Sequence, residues 1–477
     1  MIHDIHRRKA KIVCTLGPSS NTYERIHELA TSGMDVARIN FSHGNHTTHQ
    51  KLIEIIRKVS KDIGKPIAVL QDLQGPKIRV VTFENGQIEL KEGQQFTLTV
   101  REVTGNENIV SVSYKSFNRD VKPGDTVLLD DGNLTLKVEK IDGKDVHCRV
   151  VYGGILKDKK GLNLPGSILS VPCLTEKDRD DLKFGLQMDV DYVALSFVQR
   201  PEDINEIKWM IEAQGKQTPV VAKIEKPQAV EAIDKITDLT DVIMVARGDL
   251  GVEVPPERVP TIQKDIIRMC NQKGIPVITA TQMLDSMITH PRPTRAEASD
   301  VANAIVDGSD AVMLSGETAS GMYPVEAVKT MDRIIRVMEE NMDPRWDLKR
   351  RIPDLVYPIS YAIGYSATHS ADLVNATAIV CLTQSGSTAS MISRFRPGKP
   401  IIALTSQEKT FNRLPLLWGV TALLTGGFKE NIDSVIEDLK TQLVVLGIVK
   451  PGDTIVFTAG IPFNHRRSTN MLRVEEI

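Results

Sequence analysis

The segment Pro219-Val220-Val221-Ala222-Lys223-Ile224-Glu225 decides the fold of this chain. Val220, Val221, Ala222 and Ile224 read as a strand buried on both faces, the pattern of a parallel sheet. Residues two apart on a strand share a face, so Lys223 and Glu225 point the same way at its C-terminal tip. A same-face ion pair on a half-exposed strand is the plain alternative. The apolar context opposes it, because a buried pair adds little net stability once desolvation is counted. Two more segments share this design. Residues 241–249 end in Arg247-Gly248-Asp249, and residues 275–281 end in Thr279-Ala280-Thr281. A cation, two carboxylates and a hydroxyl at neighbouring strand ends form the layout of a metal-assisted site at the mouth of a barrel.

Working outward, eight apolar runs read as strands: 11–16, 35–41, 66–71, 192–197, 219–225, 242–246, 276–281 and 311–315. Amphipathic helices are expected between them at 23–32, 46–63, 176–186, 201–213, 228–236, 259–273, 295–307 and 324–341. Gly33, Gly64, Gly274 and Gly308 stand where left-handed helix caps are favoured. Strands alternating with helices predict an α/β fold, a parallel (β/α)8 TIM barrel. Between 73 and 170 the period changes. Short alternating runs at 87–90, 95–100, 126–129, 134–139 and 146–151 are punctuated by turn pairs such as Asn85-Gly86, Asp131-Gly132 and Asp142-Gly143. This predicts an all-β domain inserted after the third strand, at the barrel end where it can act as a lid. A polar linker at 342–353 precedes a helix at 357–374 and strands at 378–382, 401–405, 421–424, 454–458 and 471–475. The domains expected are the barrel at 1–72 and 171–342, the lid at 73–170, and a C-terminal α/β domain at 343–477. The chain ends soon after the last expected strand, so no appended domain is expected.

The bulk properties exclude several classes. A chain of 477 residues is expected to form two to four domains. It is 41% hydrophobic and 25% charged, with a net charge of -2, so neither a nucleic-acid nor a membrane partner is indicated. No run of 18 apolar residues is present, and no apolar run follows the N-terminal charges as in a signal peptide. Five scattered cysteines, odd in number and without a C-x-x-C pair, suit buried reduced thiols and a cytoplasmic setting.

Other residues carry chemistry by their placement. Arg38, Asn40 and Ser42 share a face of the second strand, and Arg38 in an apolar strand needs an anion to meet it. Asp249 stands at a helix start, where Gly248-Asp249-Leu250-Gly251 offers backbone N–H groups to anionic oxygens; a plain helix cap is the alternative. Glu225 and Asp249 together suit Mg2+. His43, His46 and His49 are spaced three apart, but no carboxylate joins them, and a polar helix start accounts for them. Lys77 and Arg79, leaving the third strand, fit phosphate or carboxylate partners, with a basic hinge loop as the plain alternative. Lys159-Lys160 taken alone means little. Two common nucleotide cradles are missing: Gly-x-x-x-x-Gly-Lys-Ser/Thr and Gly-x-Gly-x-x-Gly. Thr383, Gln384, Ser385, Gly386, Ser387 and Thr388 follow a strand and open a helix, reading as a phosphate nest or as an ordinary cap.

These motifs in this order resemble the pyruvate kinase family over essentially the whole chain. The matching stretches include Thr15-Leu16-Gly17-Pro18, Arg38 to Gly44, Asp72 to Arg79, Lys160 to Gly166, Ala222 to Glu225, Val245 to Gly251, Ala280 to Leu284, Pro291 to Glu297 and Met313 to Thr318. The resemblance implies phosphoryl transfer from phosphoenolpyruvate to ADP, giving pyruvate and ATP, the last step of glycolysis. It implies Glu225 and Asp249 as ligands of Mg2+ or Mn2+, and Lys223 as the group that stabilises the phosphoryl in transit. Gly248, Asp249 and Thr281 would hold the substrate carboxylate, with Thr281 helping to deliver a proton. Arg38 would grip the phosphoryl group, and Asn40, His43, Arg79 and Lys160 would serve the nucleotide. Potassium-dependent relatives place a monovalent cation at positions matching Asn40, Ser42, Asp72 and Leu73. Here Lys77 replaces an acidic residue, so the chain resembles the potassium-independent type, with the ammonium supplying the charge. The resemblance further implies a homotetramer. It also implies an effector site around Thr383, Ser385, Gly386, Ser387 and Thr388, where Gln384 replaces a lysine of some relatives. Arg466 and Arg467 on the closing loop suggest a sugar phosphate or nucleotide effector. Two other readings remain: a Mg2+-enolate lyase or aldolase on the same barrel, and a non-catalytic protein that kept the fold.

Overall fold

The computed structural model describes residues 8–166, 172–342, 358–427, 431–462 and 468–477. Eight parallel strands close a barrel: Lys11–Leu16, Val36–Asn40, Ala68–Asp72, Tyr192–Leu195, Val220–Ile224, Val242–Ala246, Val277–Ala280 and Ala311–Leu314. Each strand pairs with its neighbours in sequence order, and the last pairs with the first (Lys11 opposite Ala311). All eight expected strands are present, with ends moved by at most two residues. Helices surround the barrel as expected, with one exception. The run 228–236 is two helices, Pro227–Glu231 and Ile233–Leu239, because Ala232 leaves helical geometry at ψ 8°. Gly64, Gly274 and Gly308 cap their helices in the left-handed region, and Gly33 ends its helix at φ 141°.

The strands' alternation divides the buried side chains into two cores. Ile12, Cys14, Ala37, Ile39 and Val69 face outward onto the helices. Val13, Val36, Ala68, Leu70, Tyr192, Ala194, Val221 and Met244 face inward and fill the barrel. Leu416 joins this inner cluster from the C-terminal domain. It lies on the short helix Leu414–Leu416, which stops the N-terminal mouth of the barrel. There Tyr192 donates its hydroxyl to the Arg413 carbonyl at 2.9 Å, and Lys11 Nζ donates to the Val420 carbonyl at 2.8 Å.

The inserted domain has its own core, including Phe96, Leu98, Phe117, Leu136 and Cys148, and a six-stranded sheet with a separate two-stranded one. Three strands were not foreseen: Ile109–Ser111, Gly154–Lys157 and Leu162–Asn163. They have two to four residues, too few to show an alternating period, and Gly153-Gly154 reads as a turn. The C-terminal domain is a five-stranded sheet whose last strand, Met471–Glu476, is antiparallel to Thr454–Ala459. All five cysteines are buried and free. Among the described residues no helix is long and apolar enough to cross a membrane.

Candidate active site

The inward row that fills the barrel with Val13, Val36, Leu70, Ala194 and Val221 continues toward the C-terminal mouth as Thr15, Arg38, Asp72, Ser196 and Lys223, because side chains two apart share a face. Five consecutive strands thus each contribute one polar group to the top layer of an otherwise apolar interior. All five are buried, and each meets a partner. Arg38 Nε donates to Asp72 Oδ2 at 2.6 Å, and its Nη1 donates to Thr15 Oγ1 at 2.8 Å. Lys223 Nζ lies 3.3 Å from Asp72 Oδ1 and 2.9 Å from Glu225 Oε1, and donates to Ser196 Oγ at 2.8 Å. Lys223 and Glu225 do share a face, and the ammonium turns into the site.

The electrostatics follow from this packing. Burial alone would lower the Lys223 pKa, but Asp72 and Glu225 outweigh it and hold the pKa above the ordinary lysine value. Burial likewise works against the Asp72 carboxylate. Lys223 and Arg38 win, and its pKa falls below the usual range. Glu225 goes the other way: burial raises its pKa, Lys223 opposes, and the negative charge of Asp249 adds to the rise. Two carboxylates that repel each other at the edge of a buried cationic layer are oxygen donors suited to a hard divalent cation. Among the described residues no three His, Cys, Asp or Glu side chains gather to cage an ion by themselves.

Asp249 lies in the first turn of helix Arg247–Glu253. The Gly248 N–H, expected to be open to an anion, donates to Thr281 Oγ1 at 2.7 Å. Thr281 sits just past its strand at φ 68°, a strained conformation for a β-branched residue that marks functional turns. Arg247 holds this turn. Its Nη2 donates to the Thr281 carbonyl at 2.7 Å, and its Nη1 to Asp300 Oδ1 at 2.7 Å.

Some expected partners differ. The anion that meets Arg38 within the protein is Asp72. Lys77 does not sit on Asp72: its Nζ is 3.8 Å from Asp249 Oδ1. The Asn40 side chain accepts the Ser42 N–H at 3.0 Å, and the Leu73 carbonyl accepts from Ser196 Oγ at 2.7 Å. His43 is exposed. Arg79 Nη1 donates to the Lys159 carbonyl at 2.9 Å, and Lys160 Nζ pairs with Asp130 Oδ1 at 2.6 Å. So both cations stand on the lid, each held by a lid oxygen. The histidine series needs a correction. A carboxylate does join it, since His46 Nε2 is 2.7 Å from Asp181 Oδ1 on another helix. His49 instead stacks on Phe41. The helix-start account stands, with Asn45 as its cap.

Sequence reasoning missed Thr15, Ser196, Phe197 and Arg247. Ser196 and Phe197 follow directly on the fourth strand, as Glu225 follows on the fifth, and that parallel placement was the available signal. Phe197 adopts φ 56° and aims its N–H at Glu225 Oε2, 2.8 Å away. Its ring fills the space that a Cβ on Gly75 would need, 2.7 Å from Phe197 Cδ2, and Gly75 itself has φ +68°. Only glycine fits the lid hinge there.

Thr383, Ser385, Ser387 and Thr388 of the C-terminal domain line a cavity of about 980 Å³ together with Lys409 of the same domain and Asp189 and Lys216 of the barrel domain. The Gly386 N–H donates to Thr383 Oγ1 at 2.9 Å. Arg466 and Arg467 lie outside the described residues.

Comparison with known proteins places these observations. A family profile described as "Pyruvate kinase, barrel domain" matches residues 7–328, and one described as "Pyruvate kinase, alpha/beta domain" matches 361–475. A curated pyruvate kinase of Clostridium perfringens is 46% identical over 474 residues, covering 98% of this chain and 100% of the relative. One from Staphylococcus aureus (strain MRSA252) is 47% identical over 469 residues, covering 98% and 80%. The crystal structure of a pyruvate kinase from Cryptosporidium parvum superimposes with a TM-score of 0.93 at 37% identity, covering 100% of this chain and 97% of the other.

Proposed function

The chain belongs to the pyruvate kinase family, and from that premise we propose which of its residues carry phosphoryl transfer from phosphoenolpyruvate to ADP. The observation that carries the reading is the polar top layer of the barrel, where Lys223 is buried and charged between Asp72 and Glu225. Phosphoryl transfer needs positioning and fixed positive charge more than covalent chemistry. Lys223 supplies that charge from a site whose neighbours hold it in place, so no reorganisation is required when the group moves. Arg38, oriented by Asp72 and Thr15, offers its remaining donor surface to the phosphoryl oxygens. Thr281, held by Gly248 and Arg247, places a hydroxyl beside the substrate carboxylate and the carbon that gains a proton. Arg79 and Lys160 bring cations to the nucleotide phosphates from the lid, with Asn40 and His43 at the barrel rim.

Glu225 and Asp249 would hold a divalent cation, Mg2+ or Mn2+, which neutralises the charge shared by substrate and phosphoryl group. The pathway role makes the cytoplasm the expected setting. Purified protein given phosphoenolpyruvate, ADP and Mg2+ should form pyruvate, measured through a coupled reductase. Pyruvate released by C–C cleavage of a 4-hydroxy-2-keto acid, with no ADP-dependent turnover of phosphoenolpyruvate, would favour a lyase or aldolase, and no turnover of either substrate would favour a non-catalytic protein.

Activity requires no K+. Lys77 near Asp249 already brings an ammonium to this rim. Rates in sodium or tetramethylammonium salts should match those in potassium, and Lys77→Glu should create a K+ stimulation on the order of tenfold. A wild-type enzyme nearly inactive without K+ would end this reading. The cavity beside Thr383 to Thr388 takes an anionic effector, a sugar phosphate or nucleotide. Titration with fructose 1,6-bisphosphate, ribose 5-phosphate and AMP at low phosphoenolpyruvate tests it, and no response to any of them removes it. The assembly is a homotetramer. Exposed Ile359, Leu373 and Val445 on C-terminal helices supply apolar surface for association, and light scattering reads the mass.

A further inference from the structure

A cluster outside the machinery above ties the lid to the barrel. Asn163 lies on the lid's returning arm, in strand Leu162–Asn163. Its Nδ2 donates to Glu253 Oε1 at 2.7 Å. The same oxygen accepts from Lys226 Nζ at 2.6 Å. The Lys226 and Glu253 side chains are only 9% and 2% exposed. Both are neighbours of the metal-binding pair. Glu253 ends the helix that carries Gly248 and Asp249, and Lys226 follows Glu225 in the chain. The Lys226 ammonium also stands 5.6 Å from the centre of the Phe197 ring, the residue that orients Glu225 and abuts the hinge at Gly75.

The returning arm is paired with the outgoing one. Leu162 N–H donates to the Ile78 carbonyl at 2.9 Å, and Val80 N–H to the Lys160 carbonyl at 3.0 Å. The two arms form one neck, and that neck carries Arg79 and Lys160. A buried Lys–Glu pair contributes little net stability by itself. What this pair does is present a fixed, charged acceptor to a lid amide. We propose that Asn163, Glu253 and Lys226 are positioning residues: one carboxylate, shared between a lid amide and a barrel ammonium, sets the neck bearing Arg79 and Lys160 in register with Glu225 and Asp249. The inference rests on the reading of Arg79 and Lys160 as nucleotide ligands. It predicts that Asn163 acts through them and not on phosphoenolpyruvate.

Substitution at Asn163 in the full-length protein tests this, with steady-state kinetics and hydrogen exchange read by mass spectrometry. Asn163→Ala should raise the KM for ADP by about tenfold, the loss of one charge-assisted hydrogen bond, and leave the KM for phosphoenolpyruvate within about twofold. Asn163→Asp has nearly the same shape but turns a carboxylate toward Glu253, so it should be worse than alanine, by roughly another tenfold. Amide exchange in residues 77–80 and 159–163 should quicken in both variants while the barrel strands stay unchanged. An Asn163→Ala enzyme with wild-type KM for ADP and unaltered neck exchange overturns the proposal. So does an Asn163→Asp variant milder than alanine, or faster exchange throughout the barrel. Exchange needs no substrate, so a wild-type protein that forms no pyruvate would sink the functional reading while the neck measurement still judges the latch.

Discussion

The two ends of the barrel are built from the same strands and the same inward-facing rows, yet they do opposite work. At the N-terminal end the row is closed by Leu416, inserted from the C-terminal domain among Val36, Ala68, Leu70 and Tyr192. Two residues beyond Val36, Leu70 and Val221 the row turns into Arg38, Asp72 and Lys223, cross-paired within about 3 Å. One end gains its stability from apolar burial. The other gains little net stability from its buried ion pairs, because desolvation opposes their attraction. Under the proposed function its charges are held for what they do to a substrate. The separation is spatial: chemistry can vary at one mouth without disturbing the packing at the other.

The sharpest way to break this comparison is Lys223→Met. Turnover should fall by about 10³-fold or more, since a preorganised charge acting on the transition state is lost. Circular dichroism should still report a folded barrel. A variant that keeps more than a tenth of the activity would remove Lys223 from the reaction. The complementary change is Leu416→Ala, which should cost about 2–5 kcal/mol of stability by opening a cavity in the barrel floor. It should lower the denaturation midpoint while leaving kcat, measured well below that midpoint, within about twofold of wild type. A large loss of kcat at unchanged stability would mean that the floor speaks to the active site. The smallest effect is expected for His46→Ala. The His46 side chain is half exposed and the buried Asp181 carboxylate keeps Lys177 as a partner, so stability should change by less than about 1 kcal/mol, with Mn2+ binding, read by electron paramagnetic resonance, unaffected. Weakened Mn2+ binding would reopen the histidine series as a metal site.

Much of the molecule was legible in one dimension. The segment from Pro219 to Glu225 gave away a buried strand with a charged tip, and the turn pairs from Asn85-Gly86 to Asp142-Gly143 marked the inserted sheet. The spacing of Lys223 and Glu225 put them on one face, as found. These features depend on side-chain alternation and turn chemistry over a few residues, which a linear reading can follow. Closure of the barrel decided the rest. It alone brings Asp72 between Arg38 and Lys223, turns Lys77 toward Asp249, seats Leu416 in the floor, and lets Asn163 reach Glu253 across 90 positions of sequence. A charge chooses its partner by distance and desolvation in the packed state, and neither quantity exists until distant strands meet.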